Sequence, residues 1–271
     1  MGAIVTDDRH YKNIANNIRE KTGSEETFTP EEMSEGVSEV YEAGKKSQHD
    51  EFMDNYMKNM SDGGEAYYLF SGSCWNGETF YPTRDIRPMN NCSGMFQYFS
   101  WQQTPIIDLA QRLDDCGVEL DLSDCGAPAQ MFAYCFVTRL PKLDFSNVTN
   151  SFDRTWRNAS TIVTIDEIVF PVNYNATFSN AFQGCSKLKN LKASGEIRRT
   201  IDFSACPLTV ESMKTIISSL IDYSGTNYEH DYTVSFSGPC KTALETEGAT
   251  AEYNGEACTW LELIEYKKWN H

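Results

Sequence analysis

The sequence predicts an α+β chain. A short N-terminal helical module (1–60) and a linker with an N-terminal cap (61–89) precede an irregular solenoid of short parallel strands (90–205), and an α/β cap (206–271) closes it. Three observations predict this. A strand-sized cell of alternating apolar residues returns along the middle of the chain. A second apolar stripe returns between those cells, and helical periodicity is confined to the two ends.

The cell is plainest in "LPKLDFSNVTN", residues 140–150, where Leu143 and Phe145 alternate with Asp144 as a short strand that buries one face and shows the other. It returns as Ile107-Asp108-Leu109-Ala110, Leu120-Asp121-Leu122-Ser123, Ile168-Val169-Phe170-Pro171, Leu191-Lys192-Ala193-Ser194 and Ile201-Asp202-Phe203-Ser204. Successive cells start 13, 23, 25, 23 and 10 residues apart. The three middle steps fall within the roughly 20–29 residues of a leucine-rich repeat. The outer steps are too short for a full coil and read as a degenerate first repeat and a cap.

Between the strands, Met131-Phe132 is followed by Cys135, Trp156 by Ala159, Ile162 and Ile165, and Ala181-Phe182 by Cys185, Leu188 and Leu191. An aromatic, then a small residue at the third place, then aliphatics at the sixth and ninth, make one buried stripe on a short helical or 3₁₀ segment between strands. Met95-Phe96 starts a weaker copy.

These residues carry a resemblance. "LDFSNVTNSFDRTWRNAS" and "AFQGCSKLKNLKAS" resemble the BspA-like leucine-rich repeats of bacterial surface proteins and of phage or prophage proteins, whose units run L-D-x-S-x-V-T-N-M and then M-F-x-x-C-x-x-L. Ser151 stands where the Met would be, one residue is inserted before Trp156, and Ala159 replaces the Cys. The resemblance spans about residues 90–205. It implies a binding scaffold and not a particular ligand.

In the N-terminal module, Tyr11, Ile14, Ala15 and Ile18 share one helical face that ends at Gly23. Thr29, Pro30 and Glu32 then form the start of a second helix, with the spacing of a capping box. Its stripe, Met33, Val37, Val40, Tyr41, Phe52, Tyr56 and Met60, exceeds what the first helix covers, so it is expected to dock on the repeats or to self-associate as a coiled coil, a trimer in a fibre protein. "IANNIREKTG" and the P-x-x-M at Pro30 resemble an N-terminal module of tail and minor structural proteins of phages that infect Gram-positive bacteria. In the linker, Asn76-Gly77 reads as a hairpin turn. At the other end, "PLTVESMKTIISSLIDYSG" (207–225) is a helix with Val210, Met213, Ile216, Ile217 and Leu220 inward, followed by a strand in "YTVSFSG" and a closing segment "EACTWLELIEYKKWN".

Composition narrows the function. The net charge of −16 divides as −6 over 1–60, −7 over 61–239 and −3 over 240–271, which disfavours a nucleic-acid partner, since phosphates need a basic face. No apolar run approaches a membrane span, and the opening "MGAIVTDDRHYKN" has no signal-peptide pattern, so synthesis in a bacterial cytoplasm is expected, with association to a virion if the protein is structural. Nine cysteines without a C-x-x-C pair read as buried thiols in a reducing compartment, and no metal or cofactor is expected. The hydrolase, zinc-protease, phosphate-loop and dinucleotide motifs are missing, so the chain is not expected to be an enzyme.

If the cells pair side by side, their outward residues Asp108, Asp121, Asp144, Val169, Lys192 and Asp202 form one row about 4.8 Å apart. Asp108, Asp121, Asp144, Lys192 and Asp202 are therefore the candidate binding residues, and the carboxylates suit a basic protein partner. Two functions are consistent with this. One is a phage tail or fibre component that holds a virion protein or a host surface. The other is an intracellular phage or prophage effector, such as an anti-defence (anti-CRISPR-like) inhibitor of a host defence protein.

Overall fold

The computed structural model describes residues 69–72, 80–82, 85–172, 174–227 and 230–271. The predicted N-terminal helices, the stripe Met33, Val37, Val40, Tyr41, Phe52, Tyr56 and Met60, and the Asn76-Gly77 turn lie outside the described residues. The described part is mixed α/β, with short strands paired mostly in parallel.

A backbone ladder joins successive turns. The amide of Phe70 donates to the Met95 carbonyl (2.7 Å), Phe96 to Met131 (2.8 Å), Phe132 to Thr155 (2.7 Å) and Trp156 to Ala181 (2.9 Å), so these aromatics and Phe182 occupy equivalent places in five turns. Two residues further on, Gly72, Tyr98, Tyr134 and Asn158 donate to Gln97, Ala133, Arg157 and Gln183 in the same manner. The geometry requires left-handed backbone on each side of the aromatic. φ is positive at Gly94, Gln130, Arg154 and Asn180 two residues before it, and at Gly72, Tyr98, Tyr134, Asn158 and Gly184 two residues after it. Non-glycine residues hold this conformation at a cost of about 1–2 kcal/mol each, which the surrounding hydrogen bonds must offset.

Inside the ladder the rings form a column. Phe96 stacks on Phe132 (centroids 5.3 Å apart, planes at 6°), Trp156 on Phe182 (4.6 Å, 9°), and Phe182 leans on Phe203 (4.5 Å). All are buried, as are Cys135, Ala159 and Cys185 at the small position and Ile162, Ile165, Leu188 and Leu191 beyond it. The aromatic-to-aliphatic spacing thus marks a real stripe, carried by turns that lead into strands and not by the helical or 3₁₀ segment expected.

On the other side of the stack, β2 (Ile107–Asp108), β4 (Val137–Asp144), β5 (Thr164–Val169) and β6 (Asn190–Ser194) form a four-stranded parallel sheet in the order β2-β4-β5-β6. A smaller parallel pair joins β1 (Asn90–Asn91) to β3 (Cys125–Ala127). Register corrects the expected row. Leu143 pairs with Ile168 and Ile168 with Ala193, so Asp144, Val169 and Ser194 align, and Lys192 stands opposite Asp166 and Glu167, where the register shifts. The first cell yields only two strand residues before α1 (Leu109–Cys116) begins, because the Asp108 carboxylate accepts from the Gln111 amide (2.9 Å) as its N-cap. The second cell makes a single bridge, Leu120 to Ile86. The last, β7 (Ile201–Phe203), pairs with β8 (Val234–Phe236) and not with β6.

The exposed edge of β6 is covered by α2 (Val210–Ser219), capped by Thr209. Ser212 Oγ accepts from the Leu191 amide (2.9 Å) and donates to the Lys189 carbonyl (3.1 Å), and Thr215 Oγ1 accepts from the Ala193 amide (3.1 Å). Hydroxyls one helical turn apart thus take the place of a neighbouring strand. Met213, Ile216, Ile217 and Leu220 are buried, with Val210 half-buried. α3 (Gly238–Thr246), the hairpin β9 (Ala251–Tyr253) with β10 (Glu256–Cys258), and α4 (Trp260–Tyr266), which carries a Thr259/Glu262 capping box, complete the cap. Beyond α4, Lys267 Nζ donates to the carbonyls of Ile217, Ser218 and Leu220 (3.0, 3.0 and 2.8 Å), placing a cation on the open end of α2.

Trp156 Nε1 is buried without a partner among the described residues, so the position needs the ring and not the donor. Trp156→Ala should therefore cost about 3–5 kcal/mol in urea unfolding, while Trp156→Phe should cost about 1 kcal/mol or less because removing the orphan donor offsets the smaller ring. Equal losses for the two variants would contradict the stacked column.

Candidate functional site

The outward face of the sheet is a lattice of ion pairs. Arg139 forms a two-pronged contact with Asp166 (Nε 2.7 Å, Nη2 2.9 Å) and lies 3.9 Å from Asp108, which raises the guanidinium pKa further. Lys192 Nζ donates to Glu167 (3.0 Å), whose other oxygen accepts from Ser194 (2.8 Å). Burial pushes the Glu167 carboxyl up, but the bonds from Ser194 and Lys192 outweigh it and hold the group below its usual range. Lys142 lies 3.8 Å from Asp144.

The predicted aspartates are turn residues. Asp144, Asp121 and Asp202 each accept from the amide two residues on, at Ser146 (3.0 Å), Ser123 (3.0 Å) and Ser204 (2.8 Å), and Asp222 does so with Ser224 (2.8 Å). Each is an Asx turn, the first three at the end of a cell, and the Asp-x-Ser spacing is its signature in the sequence. Hydrogen bonds from Ser123, with help from Arg87, hold Asp121 below its usual range. The five candidates do not share one row. Asp108 caps α1 beside Arg139, Asp144 and Lys192 are out of register on the same sheet, and Asp202 lies on the separate β7–β8 pair.

Asp121 and Asp144 do meet elsewhere, at a depression of about 310 Å³ beside β4. Pairing with β2 ends at Arg139, and Pro141, which has no amide hydrogen, follows without a strand on that side. α1 fills part of the gap. Ala110, Leu113, Val118, Leu120 and Pro141 make an apolar floor, and Asp114, Glu119, Asp121 and Asp144 surround it with Lys142 the one cation among the lining residues. α1 ends in a left-handed Gly117, whose amide returns to Asp114, and has no basic residue in its last turn. Asp114 therefore sits at the helix end that disfavours an anion. Asp114, Glu119 and Lys142 are not among the binding candidates read from the sequence, because nothing in their spacing shows that β2 stops early and that Asp114 and Asp115, which read as a loop pair, lie in α1.

Among the described residues, no group of three or more His, Cys, Asp or Glu side chains could hold a metal ion, and no helix is long and apolar enough to cross a membrane. The eight described cysteines are free thiols, seven of them buried. Hydrogen bonding to Cys125 and burial raise Cys92, as Cys185 and burial raise Cys206. The chain matches no protein-family model, no curated protein and no solved structure.

Because Glu167 is depressed in the folded state, its contribution is present above the unfolded carboxyl pKa of about 4.3 and is lost as pH falls through the folded value. Thermal melts between about pH 7 and pH 3 should show stability falling on the acid side, and Glu167→Gln should flatten that fall. An unchanged acid profile in Glu167→Gln would remove the lattice as a source of stability.

Proposed function

We propose that the protein is a non-enzymatic, protein-binding scaffold. The stacked turns and parallel strands support reading it as a BspA-like leucine-rich-repeat solenoid, with the sheet side turned to its partner. The resemblance of the N-terminal module to phage tail proteins supports a place in a virion, as a tail or fibre component in attachment or assembly.

One observation carries the partner's chemistry. Four carboxylates and one lysine surround an apolar floor; Asp144 pairs with Lys142 (3.8 Å) and Glu119 and Asp121 with Arg87 (3.5 and 4.0 Å), so the carboxylates outnumber the cations that reach them. Asp114 occupies its place against the helix dipole, which costs about 0.3–1 kcal/mol. A lysine or arginine of a partner fits, its aliphatic stem over Leu113 and Leu120 and its cation among the carboxylates.

Mass spectrometry of purified particles after lysine cross-linking tests the proposal. We expect peptides of this chain at stoichiometric abundance and cross-links from Lys142 to another virion protein. Absence from particles would overturn the virion role in favour of an intracellular inhibitor, and cross-links that avoid Lys142 would overturn the depression as the binding place.

A further inference from the structure

We propose that the uncharged aromatic surface of the second and third turns, centred on Tyr98 and Tyr134, joins two copies of this chain in a weak two-fold dimer. This inference is independent of the acidic depression.

Residues 93–107 and 126–138 contain no Asp, Glu, Lys or Arg, in a chain that is 23% charged. On the outside of these turns, Tyr98 and Tyr134 stack (4.8 Å, planes at 13°), Trp101 stands edge-on to both (5.9 and 5.6 Å), and Phe136 packs against Trp101 (5.6 Å). Tyr98 is 40% exposed, and the other three are half-buried.

The backbone shows that this placement is costly. Tyr98 and Tyr134 are left-handed at φ 57° and 59°, a conformation that bulky side chains avoid. The equivalent places in the other turns are held by Gly72, Asn158 and Gly184, the residue types that adopt it most easily. The two tyrosines are thus kept against local preference, on the surface, where they fill no core. Aromatic enrichment with depletion of charge marks the centre of a protein interface, and tyrosine and tryptophan dominate binding energy there.

Charge selects the occupant. Copies of a chain carrying −16 repel each other wherever their acidic surfaces face, and a charge-free patch is where that repulsion is least. A two-fold axis sets the same patch against itself, so no second complementary surface is needed.

Sedimentation equilibrium of the full-length protein from about 5 to 200 µM suits an interface smaller than the standard ~800 Å² per partner. The average mass should rise from 30.7 kDa towards twice that value. Association should strengthen as added salt shortens the screening length from about 30 Å at 0.01 M to about 8 Å at 0.15 M, the reverse of an interface built on ion pairs. Tyr98→Asn and Tyr134→Asn, which install the residue found at Asn158, should each abolish the rise with unchanged circular dichroism, whereas Tyr266→Asn, at another exposed ring, should leave it intact. A mass of 30.7 kDa at every concentration and salt, or association that survives both tyrosine substitutions, would overturn the proposal.

Discussion

The fold depends on one constraint: every turn must hand its backbone amides to the next turn. Neither a short strand nor a single turn can satisfy its own N–H and C=O groups, and a buried group left unpaired costs about 1–3 kcal/mol. The strand side meets the demand with an ordinary parallel ladder. The turn side meets it by alternating left-handed residues around a central aromatic, so that Phe132, Tyr134, Trp156 and Asn158 all donate along the stack axis. The aromatic column follows from that spacing, because rings at equivalent places in adjacent turns are brought within stacking distance, as at Trp156 and Phe182.

A stack of this kind has two ends, and the chain treats them differently. At the C-terminal side α2 supplies Ser212 and Thr215 as substitutes for a strand's backbone, and Lys267 in turn satisfies the carbonyls at the end of α2. At the other side β2 is cut short by its own aspartate, which is a better helix cap than strand residue. The shortfall leaves the second half of β4 beside a helix, and the acidic depression is the consequence. Site and scaffold are thus linked through Asp108, a residue that lies outside the depression itself.

Much of this was legible in the residues. Phe132, Trp156 and Phe182, with small residues three places on, marked the turns, with Phe96 a weaker copy, and Leu143, Ile168 and Leu191 marked the strands. The 10-residue step to Ile201 is too short for a coil, and β7 indeed pairs elsewhere. What remained hidden has physical causes. Ile107-Asp108-Leu109 fits a strand or a capped helix start equally well, and only tertiary contacts decide. The register shift opposite Lys192 leaves no mark on the hydrophobic pattern, because apolar residues still face inward on both sides of it. The aspartates looked like a free acidic row because alternation reports direction and not hydrogen bonding; the serine two residues after each was the missed signal.

Native-state hydrogen exchange tests the central claim most directly. If the turn ladder holds the fold, the amides of Phe96, Tyr98, Phe132, Tyr134, Trp156 and Asn158 should be protected to a similar free energy as the amides of β4 and β5, opening with them as one unit. Turn amides that exchange far faster than those of the strands would contradict it, leaving the sheet as the only cooperative element and the left-handed turns as its loose covering.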